Sequence, residues 1–286
     1  QMSTDGSRDI YKQYEKVVLI ENNNPDFNEA ERQSMLVAKA REVANKRDCV
    51  LFALDADEIF TANYTNTDDW KSILNSNPGA VFWFKWAEIS PNKKHYGDSV
   101  YYPWMFHDDG KEPHGNYVRN MHSMRIPYPI EAPQTHYVSD FRILHLAYLN
   151  MNRVASKCRF YSFVDYEMNK RSVISLSRNY RYIKKLEEFS INDNFFDYNE
   201  NISVLNEVDT TSKKFWFDEY ILERCATNLS AIAKLDIWDN DFLETYHLQD
   251  PRKWYHKLLH FYLHKTQKYK STFIVRAIDK VLKMFV

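Results

Sequence analysis

Glycine is scarce, with five in 286 residues, and none falls in a GxxxxGK[ST] or GxGxxG string. Both motifs need glycine because the backbone itself must approach a phosphate, so P-loop and dinucleotide-binding readings are excluded. HExxH and GxSxG are absent as well, which removes the signatures of a zincin protease and an α/β-hydrolase. Cysteine is almost missing: Cys49, Cys158 and Cys225 are odd in number, widely spaced and in no CxxC or CxxH grouping. A reducing compartment fits thiols of this kind, each read as a small buried hydrophobe. No apolar run reaches the roughly 18 residues that span a bilayer, and the first residues are polar rather than signal-like. The expectation is a cytoplasmic chain, soluble or attached peripherally at the inner face of a membrane.

What is abundant is aromatic side chains, 16% of the chain with 20 tyrosines, of the kind that fill large cores or stack on sugar rings. Core filling is the commoner use. Hydrophobic residues at 44% and charged residues at 27% are ordinary globular values. The length suits one large domain or two modest ones. The net charge of -1 hides an asymmetry: nine Lys or Arg against the single Asp279 give residues 252–286 a charge of +8, leaving -9 for residues 1–251. Such a body does not bind nucleic acid in a groove.

Along the chain, "STDGS" reads as a turn, followed by a short helix through Tyr14 and a strand at residues 17–20. An α/β domain ordinarily has an apolar strand before such a turn, so a further strand is expected ahead of Gln1. A helix from Phe27 carries Leu36, Ala40, Val43 and Ala44 on one face, predicted to pack on a sheet. Residues 49–54 are continuously apolar, as in a parallel strand covered on both faces. Thr67 with Asp68 and Asp69 starts a helix that Pro78-Gly79 ends, and "AVFWFKWAEI" is a strand. This βαβαβ order predicts a doubly wound, mostly parallel sheet. Residues 91–134, rich in proline and holding three of the five glycines, are read as loops and short strands over one end of it. A last strand is predicted over residues 137–146, then a helix capped by Asn150 or Asn152. Helices are predicted near 173–189, 213–236 and 251–284. The division is therefore an α/β domain over 1–150 and a helical region over 151–286.

The most informative string is "VLFALDADEIF", in which a buried strand runs straight into Asp55-Ala56-Asp57-Glu58. Ligands bind at strand ends in open α/β sheets. Two carboxylates turned toward one point repel each other, and a cation removes that cost. Oxygen ligands of this sort suit Mg²⁺ or Mn²⁺, which keep waters and bridge to substrate phosphates. The competing reading is a solvated, helix-capping acidic cluster.

"STDGS", a helix bearing Arg32, and "LDADE" together resemble the donor half of family 2 glycosyltransferases with the GT-A fold. "YYPWMF", "RIPYP" and "ILHLAYLNMNRVASK" are similar to the second half of small bacterial members. The resemblance implies a GT-A-like domain that transfers a sugar from a nucleotide-sugar donor to a glycan or glycolipid acceptor, with inversion, for a bacterial surface polysaccharide or glycolipid. It implies that Asp55 meets the nucleotide or ribose, that Asp57 holds the metal and that His145 completes the coordination. The family's further Asp and first strand ahead of the position of Gln1 are not in this sequence.

Asp5 and Arg32 are candidates for the base or diphosphate, arginine because its planar donors suit phosphate oxygens. Asp5 could equally shape a turn, and Arg32 could be a solvated helix residue. His145 sits in the apolar run "RILHLAYL", where a core histidine is the alternative to a ligand. Arg153 and Lys157, one helical turn apart, could hold a departing diphosphate or form a surface stripe. The base that deprotonates the acceptor hydroxyl is sought first in Asp108 and Asp109, whose loop is expected over the acceptor side, and then in Glu88.

Two rivals stay open. A haloacid-dehalogenase-type phosphohydrolase would use Asp55 as nucleophile and Asp57 as acid, although Glu58 stands where that class expects Thr or Val shortly after the pair. A non-catalytic carbohydrate-binding protein would keep the fold without turnover. In the tail, His256, His260 and His264 recur every four residues but span about 12 Å of helix, too far for one ion. Ile274, Ile278, Val281, Leu282 and Phe285 form an apolar stripe beside Arg276, Lys280 and Lys283. Peripheral contact with anionic lipid through 252–286 and packing on the catalytic domain are the two readings of that stripe.

Overall fold

Five residues separate the strand that ends at Ile89 from the one that begins at His95, too few for a crossover, which takes a dozen or more. Those neighbouring strands therefore run antiparallel, and this sets the architecture. The computed structural model describes residues 6–23, 28–61, 63–93, 95–111, 124–126, 134–181, 189–190 and 205–285. It divides into two compact units with interleaved chain segments: Gln1–Ala87, Asp98–His145 and Ile191–Ile202 form the first, and Glu88–Gly97, Leu146–Ser190 and Ser203–Val286 the second.

The strands are β1 (Val50–Phe52), β2 (Glu58–Phe60), β3 (Val81–Ile89), β4 (His95–His107), β5 (Thr135–Tyr137), β6 (Ile143–His145) and β7 (Phe189–Ser190). Their order is β1-β4-β3-β6-β2, with β5 beside β3 and β7 beside β4. β1 pairs antiparallel with β4 (Val50 opposite His107), β2 antiparallel with β6 (Glu58 opposite His145), and β5 parallel with β3. The fold is mixed α/β with a helical C-terminal region, but the expected doubly wound, mostly parallel sheet is corrected to a mostly antiparallel one that curls into a half-barrel. The reason is β4. It inserts between β1 and β3, where the βαβ reading makes those two neighbours, and it runs through the proline- and glycine-bearing stretch read as loops. Pro103 has no N–H to give the ladder, which is uncommon inside a sheet and argues for a loop in the sequence.

The first unit opens with a short helix, α1 (Ser7–Tyr11), and local chemistry explains the two that follow. In α2 (Glu29–Ala44) the Asn28 side chain accepts from Glu31 N–H, and in α3 (Asp68–Leu74) Thr67 accepts from Trp70 N–H at 3.1 Å, as its residue type predicts. Gly79, at φ 92°, makes the turn into β3 that only glycine enters freely. Two expectations fail. β1 is a short, half-buried strand at one end of the sheet order rather than a covered central one. The α2 face stays open, with Leu36 and Val43 47% and 50% exposed, and residues 17–20 pair with no strand among the described residues. The core is built from rings: Phe52 and Phe60 stack at 4.4 Å, and Phe84, Phe141 and Trp70 close around them. Core filling is thus one use of the aromatic surplus.

The second unit is helical. Its elements are α4 (Met151–Asn169), α5 (Val173–Tyr180), α6 (Trp216–Ile232), α7 (Asn240–Thr245), α8 (Trp254–Thr266) and α9 (Phe273–Leu282), and Asn150 caps the first by accepting from Asn152 and Arg153 N–H. The continuous helix predicted near 251–284 is instead two, separated at Gln267–Tyr269 by a short 3₁₀ turn. Buried arginines tie the helices together: Arg159 donates to both oxygens of Asp218 and to Asp239, and Arg178 to both oxygens of Asp279. No described helix is long and apolar enough to cross a membrane.

Candidate functional site

The chain leaves β1 through Ala53, whose N–H still donates to Trp104, and at once enters a tight turn. Glu58 N–H donates to the Asp55 carbonyl at 3.1 Å, while Asp55 N–H donates to Glu58 Oε2 at 2.9 Å. Glu58 thus closes the Asp-Ala-Asp turn from both ends. It is 4% exposed, a depth at which a carboxylate needs compensation. Trp86 Nε1 donates to its Oε1 at 2.9 Å, and Arg125 donates through Nη1 to its Oε2 at 2.6 Å. The other end of the same guanidinium reaches Asp55 Oδ2 at 2.7 Å. Arg125 also lies against the rings of Trp86 and Trp104, 5.6 and 5.3 Å from their centroids, a cation–π arrangement. Burial works against its charge, but Glu58 and Asp55 outweigh burial and hold its pKa above the ordinary arginine value.

The antiparallel register that sets Glu58 opposite His145 carries the second acid to the histidine. Asp57 Oδ2 and His145 Nε2 are 3.9 Å apart, and the imidazole stacks on Trp86 at 4.6 Å with 17° between planes. Trp86 therefore orients the histidine with its face and Glu58 with its N–H. On the other side of the turn, Arg32 of α2 approaches Asp55 Oδ1 at 3.9 Å. A cleft of about 400 Å³ opens there, lined by Arg32, Arg125 and Asp55 at its polar end and by Leu36, Phe52 and Ile126 among its apolar walls. Arg32 Nε is buried in the first unit without a hydrogen-bond acceptor. A buried donor of this kind is costly unless a ligand satisfies it.

The predicted residues divide accordingly. Arg32 meets Asp55 and His145 meets Asp57, two pairs on either side of the turn. Asp108 and Asp109 join neither: Asp108 N–H donates to Cys49 at the opposite end of β1, and six residues of extended chain to Asp55 amount to about 20 Å. Arg41 grips both oxygens of Asp108, and Asp109 accepts from Lys111 N–H in a local turn. Glu88 lies in the second unit, where burial pushes its carboxyl up to about 7 against the opposing effect of a hydrogen bond from Tyr148. Arg153 and Lys157 are on α4 of that unit, Lys157 over the Tyr161 ring at 5.7 Å. Asp5 lies outside the described residues. In the tail, His260 bonds the Lys234 carbonyl and His264 the Asp236 carboxylate, so both have structural partners. Burial raises the thiols of Cys158 and Cys225 to about 11, fitting inert thiols.

Sequence reasoning missed Arg125, Trp86 and the role of Glu58. Glu58 left a signal, a third acid directly after the DxD string, and Arg125 opens the "RIPYP" string, which is read for its resemblance and not for its arginine. Among the described residues no three His, Cys, Asp or Glu gather into a metal-binding set. No protein-family description matches the chain, and neither a curated protein nor a solved structure is found similar to it.

Proposed function

We propose that the chain is a metal-dependent glycosyltransferase that moves a sugar from a nucleotide-sugar donor to a glycan or glycolipid acceptor. One observation carries this reading: an apolar-walled cleft ending in two arginines and Asp55, two residues before Asp57 and its histidine partner. Apolar walls with a few placed polar groups suit a nucleoside, and paired guanidinium groups suit a diphosphate. Arg32 Nε supplies a donor still lacking an acceptor. Asp57 and His145 would hold Mn²⁺ or Mg²⁺, whose chemistry is to neutralise the departing nucleotide diphosphate. Arg125 and Arg32 orient and neutralise the same group, and a carboxylate deprotonates the acceptor hydroxyl.

Among the acids considered for that step, Asp108 is committed to Arg41 and Glu88 belongs to the second unit. The phosphohydrolase reading needs Asp55 as a free nucleophile, but its Oδ2 is engaged by Arg125. A panel of nucleotide sugars scored by protection against thermal unfolding, with and without Mn²⁺, tests the proposal. Metal-dependent protection by a nucleotide sugar is expected. Protection by free sugars that ignores nucleotide and metal would transfer the protein to the carbohydrate-binding class.

A further inference from the structure

Helix α8 buries Leu259, His260 and Leu263, yet Trp254, Leu258 and Phe261, at i, i+4 and i+7, are exposed along another face. α9 repeats this pattern. Val275 and Asp279 are buried, while Ile274, Ile278 and Val281 stand in water at the same spacing, and Phe285 extends the row beyond the helix end. The exposure is large, with Phe273 85%, Phe285 79% and Trp254 75% accessible. Contiguous apolar surface of this kind marks an interaction site rather than ordinary surface scatter.

Its charge identifies the partner. Residues 252–286 hold nine cations and one acid. That acid, Asp279, is buried and taken by Arg178, with Tyr262 donating to it at 3.0 Å, so it offsets none of the surface charge. Arg252 and Lys257 are held by Asp250. The other seven cations have no acid of this segment to meet. A two-fold dimer would set this face against itself, cation on cation, which disfavours a second copy as the occupant. An anionic bilayer offers what both features require: acyl chains for the aromatic and aliphatic rows and a negative headgroup layer for the lysines. No described helix can span, so the helices would lie in the interface.

We propose that residues 252–286 form a docking surface for an anionic lipid bilayer, with the exposed faces of α8 and α9 seated among the headgroups. The proposal does not depend on the glycosyltransferase reading, and its test uses no donor. The full chain is sedimented with phosphatidylcholine vesicles, pure or mixed with phosphatidylglycerol. Retention is expected on the mixed vesicles only, dropping roughly tenfold when salt shrinks the Debye length to about 3 Å. Lys280→Glu with Lys283→Glu should weaken it roughly tenfold, by loss of headgroup attraction. Ile274→Ser with Phe285→Ser should abolish it, and both pairs lie at exposed positions, so an unchanged Tm is expected. Retention indifferent to headgroup charge, no retention on either vesicle, or self-association removed by the same substitutions without vesicle binding would each overturn the proposal.

Discussion

Two arginines in this protein grip carboxylates in nearly the same way and serve different ends. Arg159, in the helical unit, donates to both oxygens of a fully buried Asp218 and to Asp239. Arg125, in the sheet unit, also bridges two acids, Glu58 and Asp55, but Asp55 is one-third exposed and faces an open cleft. The first cluster closes its buried Asp218 pair completely, reaches a half-exposed Asp239 as well, and joins helices. The second settles its buried half through Glu58 and leaves its other half toward solvent, with Asp57, His145 and the buried Arg32 Nε beside it. Ion pairing alone therefore does not mark a site. Incomplete pairing at the rim of a cleft does.

The largest effect that could break this comparison is on stability. Arg159→Met strands the Asp218 carboxylate and is expected to cost about 3–5 kcal/mol in urea unfolding. Arg125→Met leaves Glu58 its Trp86 and Asp55 N–H donors and should cost about 1–3 kcal/mol. Equal losses would mean that the turn is as structural as the helix junction. Next, Asp57→Asn should lower Mn²⁺-dependent sugar transfer roughly a thousandfold with little change in Tm, since a bound cation supplies several kcal/mol of charge stabilisation. Glu88 comes third, a half-buried acid of the helical unit. Its folded carboxyl, raised from 4.5 to about 7, binds a proton more tightly than the unfolded one. Stability should thus fall as pH rises from 4.5 to about 7, by about 3 kcal/mol in all, and Glu88→Gln should flatten that slope in denaturation curves. Smallest, Arg32→Ala should weaken nucleotide-sugar protection roughly tenfold, because a charged donor to phosphate is lost, while its partly exposed pairing with Asp55 contributes little to folding.

Elements governed by neighbouring residues were legible in the sequence. The Thr67 and Asn150 caps, the break at Pro78-Gly79 and the aromatic strand that follows are each decided within a few residues. Strand neighbours were not, because β4 pairs with residues about 50 positions away and its alternation is interrupted by Gly97 and Pro103. The acid pair of the site was readable because both members leave one strand. Arg125 was not: it arrives about 70 residues downstream, at the head of a "RIPYP" string that names no partner for it, and Trp86 reads as one more core aromatic in a strand full of them. Asp108 and Asp109 misled because a loop rich in acids and glycine resembles a site wherever it falls, and only the sheet register reveals that it lies at the far end of β1.

The closure of the Asp-Ala-Asp turn by Glu58 restricts how this protein could be altered. Remove Arg125 alone and a sunken negative charge loses its guanidinium; remove Glu58 alone and a half-sunken positive charge keeps only Asp55. Either change by itself is uphill, whereas a neutral pair such as Arg125→Met with Glu58→Gln leaves no stranded charge. Positions 58 and 125 are accordingly a linked couple, and a redesign of the cleft would have to exchange them together.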